Sequence, residues 1–139
     1  MKAFIALLDE RFGGNLQRLL SAPGDELRTA LLATHGVGPE TADSMLLYAA
    51  NQPYFVIDAY TRRIFSRLGI TPERDTYDAW QAMFMDEFTR DAALYNEYHA
   101  LIVEHGKRTC RPTPPCERCV LLDTCPTGQA NVTNAADRP

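Results

Sequence analysis

Cysteine is missing from this 139-residue chain until Cys110, so its stability rests on an apolar core, and a hydrophobic content of 45% is enough for one. Long apolar runs are missing too. None approaches the roughly 18 residues of a membrane span, and the opening Ala3–Leu8 stretch is broken at once by Asp9, Glu10 and Arg11, which is not the pattern of a secretory leader. The expectation is a soluble, cytoplasmic protein. Sustained polar–apolar alternation, the mark of strands, is absent, and nothing repeats internally, which leaves an all-α reading. Net positive charge is lacking as well: the balance is −4, which at first argues against a nucleic-acid partner. The distribution argues otherwise. Residues 68–104 carry −6, a solvated acidic face, whereas 55–67 and 105–139 each carry +2.

What the chain does have is concentrated in two places. The first is His35 to Asp58, H-G-V-G-P-E-T-A-D-S-M-L-L-Y-A-A-N-Q-P-Y-F-V-I-D. Gly36-Val37-Gly38 is too tight and flexible to continue a helix, so the preceding helix turns there. Pro39 suits the first turn of a new helix, and Met45, Leu46, Leu47 and Ala49 carry that helix inward. A helix–hairpin–helix of this kind aims backbone N–H groups and the positive end of a helix dipole at one point, which suits a phosphate of a nucleic-acid backbone. Downstream stands an isolated acid, Asp58, between the apolar run Tyr54–Ile57 and the pair Arg62-Arg63.

Helical periodicity organises the remainder. Phe4, Leu7, Leu8 and Phe12 form one stripe that Gly13-Gly14 terminates, Leu16–Leu20 makes a short helix, and acids at Asp25-Glu26 open a helix carrying Leu27, Leu31 and Leu32. A helix to about Leu68 follows Asp58, with Ile64, Phe65 and Leu68 inward. Asp75 or Thr76 caps another with Trp80, Met83, Phe84 and Phe88 on its apolar side. A last long helix runs from about Asp91 to His105, where Gly106 is expected to stop it.

The second concentration is Cys110, Cys116, Cys119 and Cys125, spaced C-x5-C-x2-C-x5-C. Such crowding supplies the four thiolates of a [4Fe-4S] cluster or a structural zinc. With one close pair flanked by long arms, and with Pro112, Pro114, Pro115 and Pro126 stiffening the loop, the spacing favours the cluster, zinc being the alternative. His35, His99 and His105 read as packing, capping or surface residues rather than ligands.

Hairpin, acid and cysteine loop, in this order, resemble the endonuclease III branch of the helix-hairpin-helix DNA glycosylases. The motifs are H-G-V-G-P-E-T-A at 35–42, V-I-D-A-Y-T-R-R at 56–63 and the loop from Cys110 to Cys125. The resemblance implies residues 1–108 as the C-terminal part of a glycosylase domain, 109–126 as the iron-sulfur loop, and 127–139 as a disordered tail outside it. It implies a partner, double-stranded DNA containing a damaged base, and a mechanism in which the nucleotide is flipped from the stack. Gly36, Val37, Gly38, Thr41 and Arg63 are then DNA contacts, and Asp58 assists cleavage of the glycosidic bond. Asp58 also suits a helix N-cap, and the two roles are compatible.

The sequence departs from the family in two respects. Members that also cut the strand carry a lysine where this chain has Glu40, and a carboxylate cannot form their Schiff base. The expectation is therefore a monofunctional enzyme for a damaged, alkylated base, with a bifunctional glycosylase/lyase as the alternative. Family members also begin with several more helices before the position of Lys2, so the chain reads as N-terminally truncated, and a non-catalytic DNA-binding iron-sulfur module or inactive fragment is a further alternative. Which base is read, which proteins are partners and how many copies associate are beyond the sequence.

Overall fold

A computed structural model describes residues 2–136, and among these the regular structure is helical: α1 (Lys2–Phe12), α2 (Leu16–Leu20), α3 (Gly24–Leu32), α4 (Pro39–Ser44), α5 (Ala59–Arg67), α6 (Tyr77–Met85), α7 (Ala92–Arg108) and α8 (Pro126–Ala136). None of the helices is long and apolar enough to cross a membrane. Two compact units divide the chain. The first holds the residues up to Val56 together with Phe84–Asn96, the second Ile57–Met83 and the described residues from Glu97 onward.

In the first unit, Leu19, Leu27, Leu31, Ala42 and Leu46 form the buried core. Phe4, Leu7, Leu8, Phe12 and Val37 pack on it, so the stripe of α1 meets the hairpin helices. Phe55 completes the unit by stacking on Phe84 at 4.2 Å and meeting Tyr95 edge-on at 5.4 Å. Leu32 and Ala49, expected inward, are exposed. The reason is that α3 ends at Leu32, and after Ser44 the chain winds into a π-helix over Met45–Ala49, so the helical phase shifts. Phe88 is likewise exposed, because α6 ends at Met85. One unforeseen contact fixes the hairpin. Asp43 on α4 is fully buried and receives the Arg28 guanidinium of α3 in two parallel bonds, 2.7 and 3.1 Å.

In the second unit, Ile57, Thr61, Ile64, Trp80, His99 and Ile102 are buried. Thr76, one of the two expected caps of α6, accepts from the Ala79 N–H. The other, Asp75, pairs with Arg62 and accepts from the Trp80 indole at 2.7 Å. Gly106 does not stop α7, which runs on to Arg108. It is buried, and a Cβ placed on it would lie 2.4 Å from Tyr60 Cδ1 of α5. The glycine is there because two helices approach too closely for a side chain. Residues 127–136, expected without regular structure, form α8, and the expectation for 137–139 lies outside the described residues. Pro126 fits the first turn of α8, and Cys125 Sγ accepts from the Gly128 N–H at 3.3 Å, capping it. Packing of α8 on α5 and on the cysteine loop explains why a polar segment orders.

Gly106→Ala measures the α5–α7 contact. Helix propensity alone would stabilise the variant by about 1 kcal/mol, whereas overpacking against Tyr60 costs about 1–3 kcal/mol. The expected result in denaturant unfolding is a lower midpoint; a raised midpoint would contradict the close approach.

Candidate active site

Asp58 precedes α5 with extended backbone, φ −105° and ψ −178°. Its Oδ1 accepts from the Thr61 N–H at 2.8 Å and from the Thr61 hydroxyl at 2.9 Å, so the expected N-cap is formed. Thr61 itself is fully buried. The other oxygen, Oδ2, faces His99 Nε2 at 3.5 Å, and His99 is 5% exposed. Burial pushes the Asp58 carboxyl up, but the two Thr61 donors and the approach of His99 outweigh it, and the group sits below its ordinary value of 3.8. The result is an ionised carboxylate, largely sheltered, held at a helix start, with one oxygen saturated by the cap.

His99 is the residue that sequence reasoning missed, having been read as packing. Its buried place beside an acid depends on α7 crossing α5, and no local spacing reports that. His105 and His35 differ from it. Burial pushes His105 below its ordinary value, and it stands 3.7 Å from Cys119 Sγ, while His35 is exposed at the hairpin.

The hairpin lies in the first unit and Asp58 in the second. Of the two hairpin glycines only Gly36 takes a left-handed φ, +85°. Gly38 is the N-cap position of α4, at φ −92°, a conformation open to any residue, and no atom lies within 4 Å of the place a Cβ would occupy on either glycine. Gly38 is therefore demanded neither by its backbone nor by a neighbour. No side chain caps α4, and Glu40 and Thr41, in its first turn, are exposed; Val37 is half-buried, packed on the core. Arg63, expected as a DNA contact, is placed differently. Its guanidinium donates to the carbonyls of Cys110 (2.8 Å) and Gly106 (2.9 Å) and covers the Tyr60 ring. That makes it a tie between α5, α7 and the cysteine loop.

All four cysteines line one cavity, beside Ile64, Arg67 and Leu68 of α5 and Leu121 and Leu122 of the loop, and none is in a disulfide. Each sulfur has a nitrogen neighbour. Arg67 Nη1 donates to Cys110 Sγ at 3.2 Å, Asn131 Nδ2 to Cys116 Sγ at 3.5 Å and the Gly128 N–H to Cys125 Sγ at 3.3 Å, with His105 beside Cys119. Donors aimed at sulfur are what a set of thiolates requires. Among the described residues no three His, Cys, Asp or Glu are arranged to hold a single ion. Four cysteine sulfurs around one apolar cavity are a donor set that could hold a metal group.

An all-helical fold with a glycine hairpin, a capped acid and a four-cysteine loop defines the class, and comparison with known proteins agrees: the fold is that of endonuclease III. The chain superposes on two solved endonuclease III–DNA complexes. One, non-covalent, gives a TM-score of 0.76 at 24% identity and covers 92% of this chain and 56% of that one. The other, a trapped covalent intermediate, gives 0.78 at 23%, covering 94% and 57%. In sequence the chain is similar to a Methanocaldococcus jannaschii protein assigned as a DNA repair glycosylase, 46% identical over 81% of this chain and 52% of that protein. It is also similar to endonuclease III of Sulfolobus acidocaldarius, 34% identical over 78% and 48%, and of Thermotoga maritima, 30% over 95% and 59%. No protein-family model matches. The chain spans about half the length of the curated relatives it matches.

Proposed function

We propose that this chain serves a DNA N-glycosylase that removes an alkylated base from double-stranded DNA without cutting the strand. The observation that carries the reading is the Asp58 carboxylate, ionised and held at a helix start with Oδ1 occupied and Oδ2 turned the other way. When the bond between C1′ and the base nitrogen breaks, the electron pair leaves with the base and positive charge grows on the sugar. A fixed carboxylate stabilises that charge more than water does, because its orientation is set before the reaction. Water then adds to C1′, and its proton passes to Asp58 or to solvent. An alkylated purine already carries a positive charge and departs readily, so an acid is chemically sufficient.

The hairpin supports the same reading. Gly36, Gly38 and Thr41 would present backbone N–H groups, and the Thr41 hydroxyl, to a phosphate, with open space at Gly38 leaving room for its approach, while Val37 would line the turn, its own N–H being bonded to the Thr34 carbonyl at 3.0 Å. Arg63 serves instead to anchor the loop. Glu40, exposed in the first turn of α4, carries no amine, so the covalent capture seen in a solved endonuclease III–DNA intermediate is not available at this position. Cys110, Cys116, Cys119 and Cys125 would hold a [4Fe-4S] cluster, which when bound supplies a four-point cross-link that fixes the loop against α5 and α7. Structural zinc is the second choice.

Duplexes carrying 3-methyladenine or 7-methylguanine test the activity. The expected outcome is release of the free base by the wild-type chain, a loss of about 10²-fold or more in Asp58→Asn, and no adduct on borohydride treatment. Binding without base release would reduce the chain to a DNA-binding module, and robust trapping would establish lyase chemistry instead. For the cluster, anaerobic purification should give brown protein with about four irons per chain; colourless protein with one zinc would overturn the assignment.

A further inference from the structure

His99 and Asp58 stand in the relation of a positioning residue to an acid, although they lie on different helices. The side chain of His99 is buried, and its Nε2 faces the one carboxylate oxygen that the helix cap leaves over, 3.5 Å away. Bonds of this kind are commonly long before substrate arrives and shorten in the reacting complex. The two Thr61 donors fix Oδ1 but allow the carboxylate to swing about that point, so a second donor on Oδ2 is what sets the plane of the group.

The surrounding charges are engaged elsewhere. On α5, Arg62 is drawn to Asp75 and Arg63 to the carbonyls of Gly106 and Cys110. On α7, Glu104 pairs with Arg108, Glu97 and Lys107 are exposed, and His105 lies at Cys119. From α6 the Tyr77 hydroxyl accepts from the Ile57 N–H. His99 is the group placed against Oδ2, at 3.5 Å.

We infer that His99 donates from Nε2 to Asp58 Oδ2 and thereby fixes the orientation of the carboxylate that faces the sugar. That contact and the two Thr61 bonds together hold the Asp58 carboxyl below its ordinary value despite burial.

The inference rests on the reading of Asp58 as the catalytic acid, but its decisive measurement does not need activity. The ¹³C carboxyl resonance of Asp58, identified by its loss in Asp58→Asn, is followed against pH in the wild type, His99→Leu and His99→Gln. Leucine fills the space without a donor; glutamine returns an N–H. The expected result is a titration midpoint that moves upward in His99→Leu and returns toward the wild-type value in His99→Gln. Single-turnover base release should be about tenfold slower or more in His99→Leu, as loss of one hydrogen bond to a charged group implies, with unchanged duplex affinity and recovery in His99→Gln. An unmoved Asp58 midpoint in folded His99→Leu would overturn the inference, as would a glutamine variant that behaves like leucine, since either makes His99 a packing residue. Absence of base release from the wild type would refute the proposed function, and the carboxyl titration would still decide the hydrogen bond.

Discussion

Everything chemically notable in the second unit depends on how closely α5 and α7 approach. Tyr60 of α5 lies where a side chain at position 106 of α7 would have to be. That approach brings the Gly106 carbonyl within reach of Arg63, sets His99 opposite Asp58 and places the start of the cysteine loop under Arg63 and Arg67. One helix thus carries the acid at its N-terminus and, one to two turns on, the two guanidiniums that grip the loop. Five hydrogen bonds run from those guanidiniums to the Gly106, Cys110, Arg111 and Pro112 carbonyls and to Cys110 sulfur. Bonds from charged donors are stronger than neutral ones, and the two from Arg63 are part-buried, so the loop is fixed by the same element that fixes the acid.

Asp58 combines a helix cap with a sheltered ionised carboxylate in one side chain. Burial by itself would favour the neutral acid. The cap opposes this by giving Oδ1 two donors, and His99 opposes it at Oδ2. Ionisation is therefore maintained by neighbours rather than by solvent, and a group so held needs little rearrangement when positive charge appears beside it.

Much of this was legible in the sequence. Gly36-Val37-Gly38-Pro39 specified a turn and a helix start, Asp58 before A-Y-T-R-R specified a cap, and four cysteines within sixteen residues specified one shared cavity. These signals are local, carried by a few residues at fixed offsets. What escaped depended on partners distant in sequence. Asp43 carries no local sign of burial until Arg28, fifteen residues earlier, is brought against it. His99 lies forty-one residues after Asp58. Gly106 has the composition of a stop and the role of a contact, and the Asn- and Thr-rich segment of α8 orders because Cys125 caps it and Asn131 reaches Cys116. Arg63 likewise has partners distant in sequence: beside a motif read as DNA-binding, its guanidinium donates to the Cys110 and Gly106 carbonyls.

The central claim is that the fixed charge of Asp58 stabilises a cation at the sugar, and affinity tests it without turnover. Duplexes carrying a cationic pyrrolidine in place of the abasic sugar mimic the developing charge, and neutral tetrahydrofuran duplexes are the control. The wild-type chain should bind the cationic duplex more tightly than the neutral one, and Asp58→Asn should erase this preference while leaving neutral-duplex affinity in place. Equal affinity for the two duplexes in the wild type, or a preference that survives in Asp58→Asn, would contradict it.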